Sequence, residues 1–170
     1  MRLTYYDEQV ILTIADAIAI DDTQTVLDVG TGTGFIAAGL APRANRVIAI
    51  DNSPAMLDVA RDNLAQLGID NVELREADLT QLPLDDDSLD AAVANMVLHH
   101  ADDPAGMLAE MTRVVRPCGW IAITDAVKHS YEWMCAEQAD IWLGFTPEQV
   151  EGFFGSARLA QYGYATLGSQ

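Results

Sequence analysis

The chain has 170 residues, half of them hydrophobic and 21% charged, which excludes a wholly disordered chain and suits a single domain spanning residues 1–170. Nine basic residues face 26 acidic ones for a net charge of −17, a field that repels phosphate backbones, so no nucleic-acid partner is expected. No apolar run reaches the ~18 residues of a membrane helix, and Met1 to Gln9 lacks the apolar centre of a secretory signal, so no membrane partner is expected and the expected location is cytoplasmic.

Asp7 to Ala19 reads as a helix, capped by Asp7, with an apolar stripe of Val10, Ile11, Ile14, Ala17 and Ile18. Thr25 to Gly30 is a β-rich run ending in glycine. Thr33 to Leu40 is a small-residue helix stopped near Pro42. Arg46 to Asp51 is a second buried strand. Ser53 caps a helix through about Leu67, with Pro54 at its first position and Gly68 past its end. Asn71 to Ala77 is a third strand. Asp85, Asp86 and Asp87 make a polar turn, and Asp90 to Asn95 is a fourth strand. Pro104 to Val115 is a helix ended near Pro117, and Gly119 to Asp125 is a fifth strand. Ser130 to Leu143 reads as helical, Thr146 caps a helix through about Phe154, and Leu159 to Thr166 reads as a final strand.

Continuous apolar strands alternating with helices imply a parallel sheet covered on both faces. With right-handed crossovers this is an α/β fold: a doubly wound, Rossmann-like three-layer sandwich with a mainly parallel sheet. Ligands of such sheets bind beyond the carboxyl ends of the strands.

The first strand runs into Asp28-Val-Gly30-Thr-Gly32-Thr-Gly34. Glycines let a backbone turn sharply and approach a ligand, and the following helix start favours an anion. The dinucleotide fingerprint GxGxxG needs glycine where this chain has Phe35; the spacing here is GxGxG. Asp51 ends the second strand, 21 residues after Gly30, where a carboxylate can accept from both hydroxyls of a ribose. Turn and acid together point to an adenosine-containing ligand.

VLDVGTGTGF resembles motif I of the class I S-adenosylmethionine-dependent methyltransferases, and VIAIDNSPAML resembles their next strand with its ribose acid. EADLTQLPLDDDSLDAAVANMVLHHADDP and EMTRVVRPCGWIAITD are similar to the UbiE-like, type 11 group. The likeness runs from about Thr25 to Asp125. EWMCAEQADIWLGFTPEQV also resembles the methyltransferase part of proteins carrying an ArsR-like regulator domain, a domain that is not present in this sequence.

The resemblance implies S-adenosylmethionine as cofactor. Gly30, Gly32 and Gly34 would wrap its methionine part, and Asp28 would help hold its amino group or, alternatively, fix the glycine turn. Asp51 would bind the ribose, with Asn52 and Met56 beside ribose and adenine. Asp78 would accept from the exocyclic amine of the adenine and Leu79 would offer a backbone N–H. Asn95 would face the methionine part, and Tyr6 would close the site from the N-terminal segment. The implied reaction is direct SN2 methyl transfer to a small-molecule acceptor.

His99 and His100 follow the fourth strand at the mouth where an acceptor would enter. An imidazole there can take a proton from a hydroxyl, thiol or amine, and it can equally be a lining residue. No metal is expected. Cys118 and Cys135 belong to no Cys/His cluster and read as reduced thiols, and His99, His100 and Asp102 make no metal site by spacing alone. Two rival readings are a non-catalytic S-adenosylmethionine-binding regulatory module and an NAD-dependent oxidoreductase. The Asp-rich composition, 18 Asp to 8 Glu with Lys128 the only lysine, fits either haloadaptation or an Arg-preferring genome.

The family's usual sheet has seven strands, ordered 3-2-1-4-5-7-6. Only Leu167 to Gln170 follow the sixth candidate strand, so the last of the seven is expected to be missing. The fifth strand would then be an exposed edge, and two readings stand equal: a homodimer through the C-terminal segment that covers it, or a truncated monomer in which that segment is partly mobile.

Overall fold

The computed structural model describes residues 8–134, 140–157, 159 and 161–165. The elements are α1 (Glu8–Ala17), β1 (Thr25–Val29), α2 (Phe35–Leu40), β2 (Arg46–Asp51), α3 (Pro54–Leu67), β3 (Val72–Glu76), β4 (Leu89–Asn95), α4 (Pro104–Val114), β5 (Val115–Thr124) and α5 (Pro147–Ser156). All four neighbouring strand pairs are parallel, in the order β3-β2-β1-β4-β5. This is the expected α/β, Rossmann-like architecture.

Side chains alternate across the strands and divide the core in two. Leu27, Val29, Ile48 and Ile50 face Met107, Leu108 and Met111 of α4. Val26, Val47, Ala49 and Val93 face Ile11 and Ile14 of α1 and Ile36 and Leu40 of α2. Each large side chain so buried contributes ~1.5–3 kcal/mol. Sequence punctuation sets the helix ends. Ser53 Oγ accepts from the Met56 N–H, Gly68 closes α3 at φ +67°, and Asp103 accepts from the Gly106 N–H at the start of α4. Thr146 and Gln149 make a reciprocal capping box on α5.

Three expectations need correction. β5 begins at Val115, not Gly119. Leu89 pairs with Val115 but Ala91 pairs with Trp120, so Arg116 to Gly119 bulge out opposite Asp90. The bulge accommodates Pro117, which has no N–H for a ladder, and the φ of +66° at Cys118. Second, described residues 130–132 and 140–143 are not helical. Instead Lys128 and His129 donate backbone N–H groups to the Phe145 and Leu143 carbonyls. Third, Leu159 and residues 161–165 form no strand. Leu159 packs onto the core, and Tyr162 stacks at 5.2 Å on Phe154 of α5, so this segment folds back on the helix. Among the described residues no strand lies beyond β5, and Trp120 is exposed on it.

Candidate active site

The strand order reverses between β1 and β4, the switch point at which such sheets open a crevice. A cleft of about 940 Å³ lies there at the carboxyl ends of the strands. A smaller cavity of about 700 Å³ lies at the amino ends. Its guanidinium groups are already paired, Arg75 with Glu73 and Arg113 with Glu110 and Asp86, so the larger cleft is the candidate.

The floor of the cleft is the turn after β1. The Gly30 and Thr31 N–H groups both donate to the Ile50 carbonyl, at 2.8 and 3.0 Å, locking the turn to β2. Gly30, Gly32 and Gly34 have φ of +69°, +55° and +81°, where side chains are strained. A Cβ on Gly30 would stand 2.3 Å from Val97 Cγ2, whereas among the described residues nothing lies within 4 Å of one on Gly32. Gly30 is thus packed against the loop after β4, and the backbone at Gly32 faces open space.

Two carboxylates brace this turn. Asp28 is 1% exposed, and its Oδ2 accepts from Thr31 Oγ1 at 2.7 Å and from the Ala37 N–H at 3.1 Å. Burial raises its pKa to about 6; the two hydrogen bonds oppose that rise and the charge of Asp51 adds to it. Asp51 accepts from the Gly32 N–H at 2.7 Å on Oδ2 and from the Ser53 N–H at 2.9 Å on Oδ1. Each of its oxygens keeps further acceptor capacity.

Asn52, Met56, Asp78, Leu79 and Asn95 all line the same cleft. Met56 is exposed, in the first turn of α3. Asp78 is exposed and folds into its own turn, accepting from the N–H and hydroxyl of Thr80; these bonds lower its pKa. Asn95 Oδ1 accepts from Thr124 Oγ1 at 2.6 Å, so β5 fixes its rotamer. Tyr6 lies outside the described residues.

The two histidines differ in exposure, although their rings stand 4.0 Å apart. They occupy one 3-10 turn, Leu98–His100, where successive side chains diverge by about a third of a turn. His100 lines the cleft; His99 does not. His99 is 5% exposed, and its Nδ1 is 2.7 Å from Asp125 Oδ1. Burial depresses the basicity of this ring, but the Asp125 hydrogen bond and the charges of Asp125 and Asp140 outweigh it, leaving the pKa raised. The motif reading passed over Asp125 and Asp140. Asp125 carried a usable signal: it is an acid immediately after the carboxyl end of β5, much as Asp51 is the last residue of β2. Asp140 carried none, because only the tertiary fold brings residue 140 beneath the histidines.

A family profile described as "Methyltransferase domain" matches residues 27–123, more than half of the chain. A demethylmenaquinone methyltransferase of Clavibacter sepedonicus is 41% identical over 109 residues, which cover 64% of this chain and 44% of that protein. An S-adenosylmethionine-dependent methyltransferase structure from Aquifex aeolicus superposes with a TM-score of 0.75 at 27% identity, covering 92% of this chain and 81% of that one. The [4+2]-cyclase SpnF superposes with a TM-score of 0.78 at 26% identity, covering 88% of this chain and 56% of SpnF. The matched stretches cover only 28–45% of the length of the first curated relatives.

Proposed function

Because the chain belongs to the methyltransferase domain family, we propose that it transfers a methyl group from S-adenosylmethionine to a small-molecule acceptor. The observation that carries this is the pairing of an open Gly32 backbone with the Asp51 carboxylate across one cleft. The cradle fits the cofactor: a Cβ on Gly32 would fill space that nothing else occupies, and Asp51 retains acceptor capacity for two ribose hydroxyls. When bound, S-adenosylmethionine supplies an electrophilic methyl on a sulfonium whose leaving group is a neutral thioether.

The residues of the chain contribute position. Gly30, Gly32 and Gly34 would pass along the methionine part, with Asp28 beneath its amino group. Asn52 and Met56 would flank the ribose and adenine, Asp78 and Leu79 would read the adenine edge, and Tyr6 would cover the site. Asn95, held by Thr124, would hold the methionine end so that the acceptor atom meets the methyl in line. His100, which lines the cleft, would take a proton from a hydroxyl or thiol acceptor. The charge of −17 favours a small acceptor over a polyanion.

Calorimetry is expected to give saturable binding of S-adenosylmethionine and S-adenosylhomocysteine and much weaker binding of NADH; equal or tighter NADH binding overturns the assignment. Asp51→Ala should lose roughly 1–3 kcal/mol of that binding, because the ribose loses a charged acceptor. Wild-type affinity in that variant rejects the ribose role. A second reading, cofactor binding without methyl transfer, is favoured by the likeness to SpnF, named as a cyclase. A methyl-transfer screen over thiols, phenols, amines and quinols separates the two. The exposed Trp120 on the outermost strand supports self-association through that edge. A monomer by light scattering, at any protein concentration tested, excludes it.

A further inference from the structure

We infer that His99, His100 and Asp140 form a site for one divalent transition-metal ion of the zinc class, at the wall of the cleft. The sequence reading expected no metal; tertiary structure supplies the third ligand. Asp140 Oδ1 is buried, its side chain only 2% exposed, and among the described residues it accepts no hydrogen bond. It lies 3.7 Å from His99 Nε2 and 3.7 Å from His100 Nδ1. These distances exceed the ~3.2 Å limit of a good hydrogen bond. A tetrahedral zinc with ligands at ~2.0–2.1 Å spaces two ligand atoms roughly 3.3–3.4 Å apart, so a closure of a few tenths of an ångström brings each pair onto one ion. All three ligand atoms lie within 4.8 Å of one another. A buried carboxylate oxygen left without a partner is costly, and a cation between the three groups removes that cost.

The second ring nitrogen of His99 supports the same reading. Asp125 Oδ1 is 2.7 Å from Nδ1, and an ionised carboxylate only accepts, so neutral His99 carries its proton on Nδ1. The lone pair is then on Nε2, the nitrogen 3.7 Å from Asp140 Oδ1. A carboxylate behind a histidine, with the other ring nitrogen free to ligate, is the usual support of a metal-binding imidazole. Two carboxylates flanking His99 also make the spot electronegative, which favours any cation. The His100 ring is 43% exposed and lines the cleft, giving an ion a way in and an open coordination position. Two imidazoles and one carboxylate favour zinc or cobalt over calcium or magnesium, which prefer all-oxygen shells. Bound there, the ion ties the turn after β4 to the segment starting at Asp140, whose Ile141 and Trp142 N–H groups already donate to the His99 carbonyl.

The site does not depend on methyl transfer itself, but an ion on His100 Nδ1 takes the only lone pair of that ring, so ligation and the base role of His100 are alternatives; its test uses no S-adenosylmethionine. The full chain, stripped with a chelator, is titrated with Zn²⁺ by calorimetry in moderate salt, so that the acidic surface is screened. Co²⁺ absorption reports the coordination. Saturation at one ion per chain is expected, with affinity weakened roughly tenfold or more in His100→Ala and in Asp140→Asn. Circular dichroism checks that both variants are folded. Should Asp140→Asn fail to fold, His100→Ala decides alone, since its ring is partly exposed. No saturable uptake by the wild type, or undiminished affinity in His100→Ala, overturns the site.

Discussion

Gly30→Ala is expected to destabilise the domain by about 2–5 kcal/mol and to abolish measurable cofactor binding. Two costs combine. An alanine at φ +69° sits in the left-handed region, which costs ~1–2 kcal/mol. Its Cβ would also stand 2.3 Å from Val97 Cγ2 and 2.9 Å from Val97 Cβ. Valine has no flexible end to swing away, so the loop after β4 must move or the turn must open. Because Gly30 and Thr31 both donate to Ile50, opening the turn also detaches β1 from β2 at the cleft. At this chain length the loss corresponds to a Tm lower by roughly 5–20 °C. Gly32→Ala is the control. It shares the positive φ but meets nothing, so only the ~1–2 kcal/mol backbone cost is expected. Val97→Ala combined with Gly30→Ala should recover the part of the steric cost owed to the Val97 methyls, leaving the 2.9 Å approach to its Cβ, and a double-mutant cycle isolates that part. Equal effects of the two glycine substitutions would sink the close-approach argument.

That contrast also marks how far the sequence could be read. The Gly30–Gly34 spacing and Asp51 identify the turn and its acid, because both chemistries are local to a strand end. Which glycine packs and which stays open depends on Val97, more than sixty residues away in the chain, and no local pattern reports it. β1, β2 and β4 were legible because each is a short run rich in β-branched or small apolar residues bounded by turn residues, and β3, Val-Glu-Leu-Arg-Glu, because it alternates apolar and charged residues. The start of β5 was hidden by Pro117 and Gly119, which read as a break and in fact form a bulge opposite Asp90. Residues 130–143 carry helical periodicity and Trp133 and Met134 are helical, yet residues 130–132 and 140–143 are not, and His129 donates its N–H to the Leu143 carbonyl. Tyr162 and Tyr164 have strand preference, but the Phe154 ring offers Tyr162 a nearer partner than any strand edge. The adjacent histidines looked equivalent; a 3-10 turn sends one into the cleft and the other against Asp125.

Asp28 carries the second large expected effect, a pH dependence. Its pKa is about 6 in the folded chain against 3.8 for the unperturbed group, because burial disfavours its charge. The folded chain therefore holds this proton more tightly than the unfolded chain does. The stabilisation from this group is fully present below the unfolded pKa and is lost as pH rises through about 6. Asp28→Asn keeps an oxygen that can accept from Thr31 and Ala37 but cannot titrate. Urea unfolding of the two proteins should thus show the wild type gaining on the variant as pH falls. The gain is on the order of 1–2 kcal/mol by about pH 5, and the full shift corresponds to roughly 3 kcal/mol. Taking the difference between the two proteins cancels the other carboxylates, whose contributions they share. Parallel curves would show that Asp28 does not titrate in this range. Ligand binding should run the other way. If the ionised carboxylate holds the cofactor's amino cation, binding competes with the proton, so wild-type affinity falls as pH drops through about 6 while that of Asp28→Asn is weak and flat. An Asp28 that only braces the glycine turn would give the first result without the second.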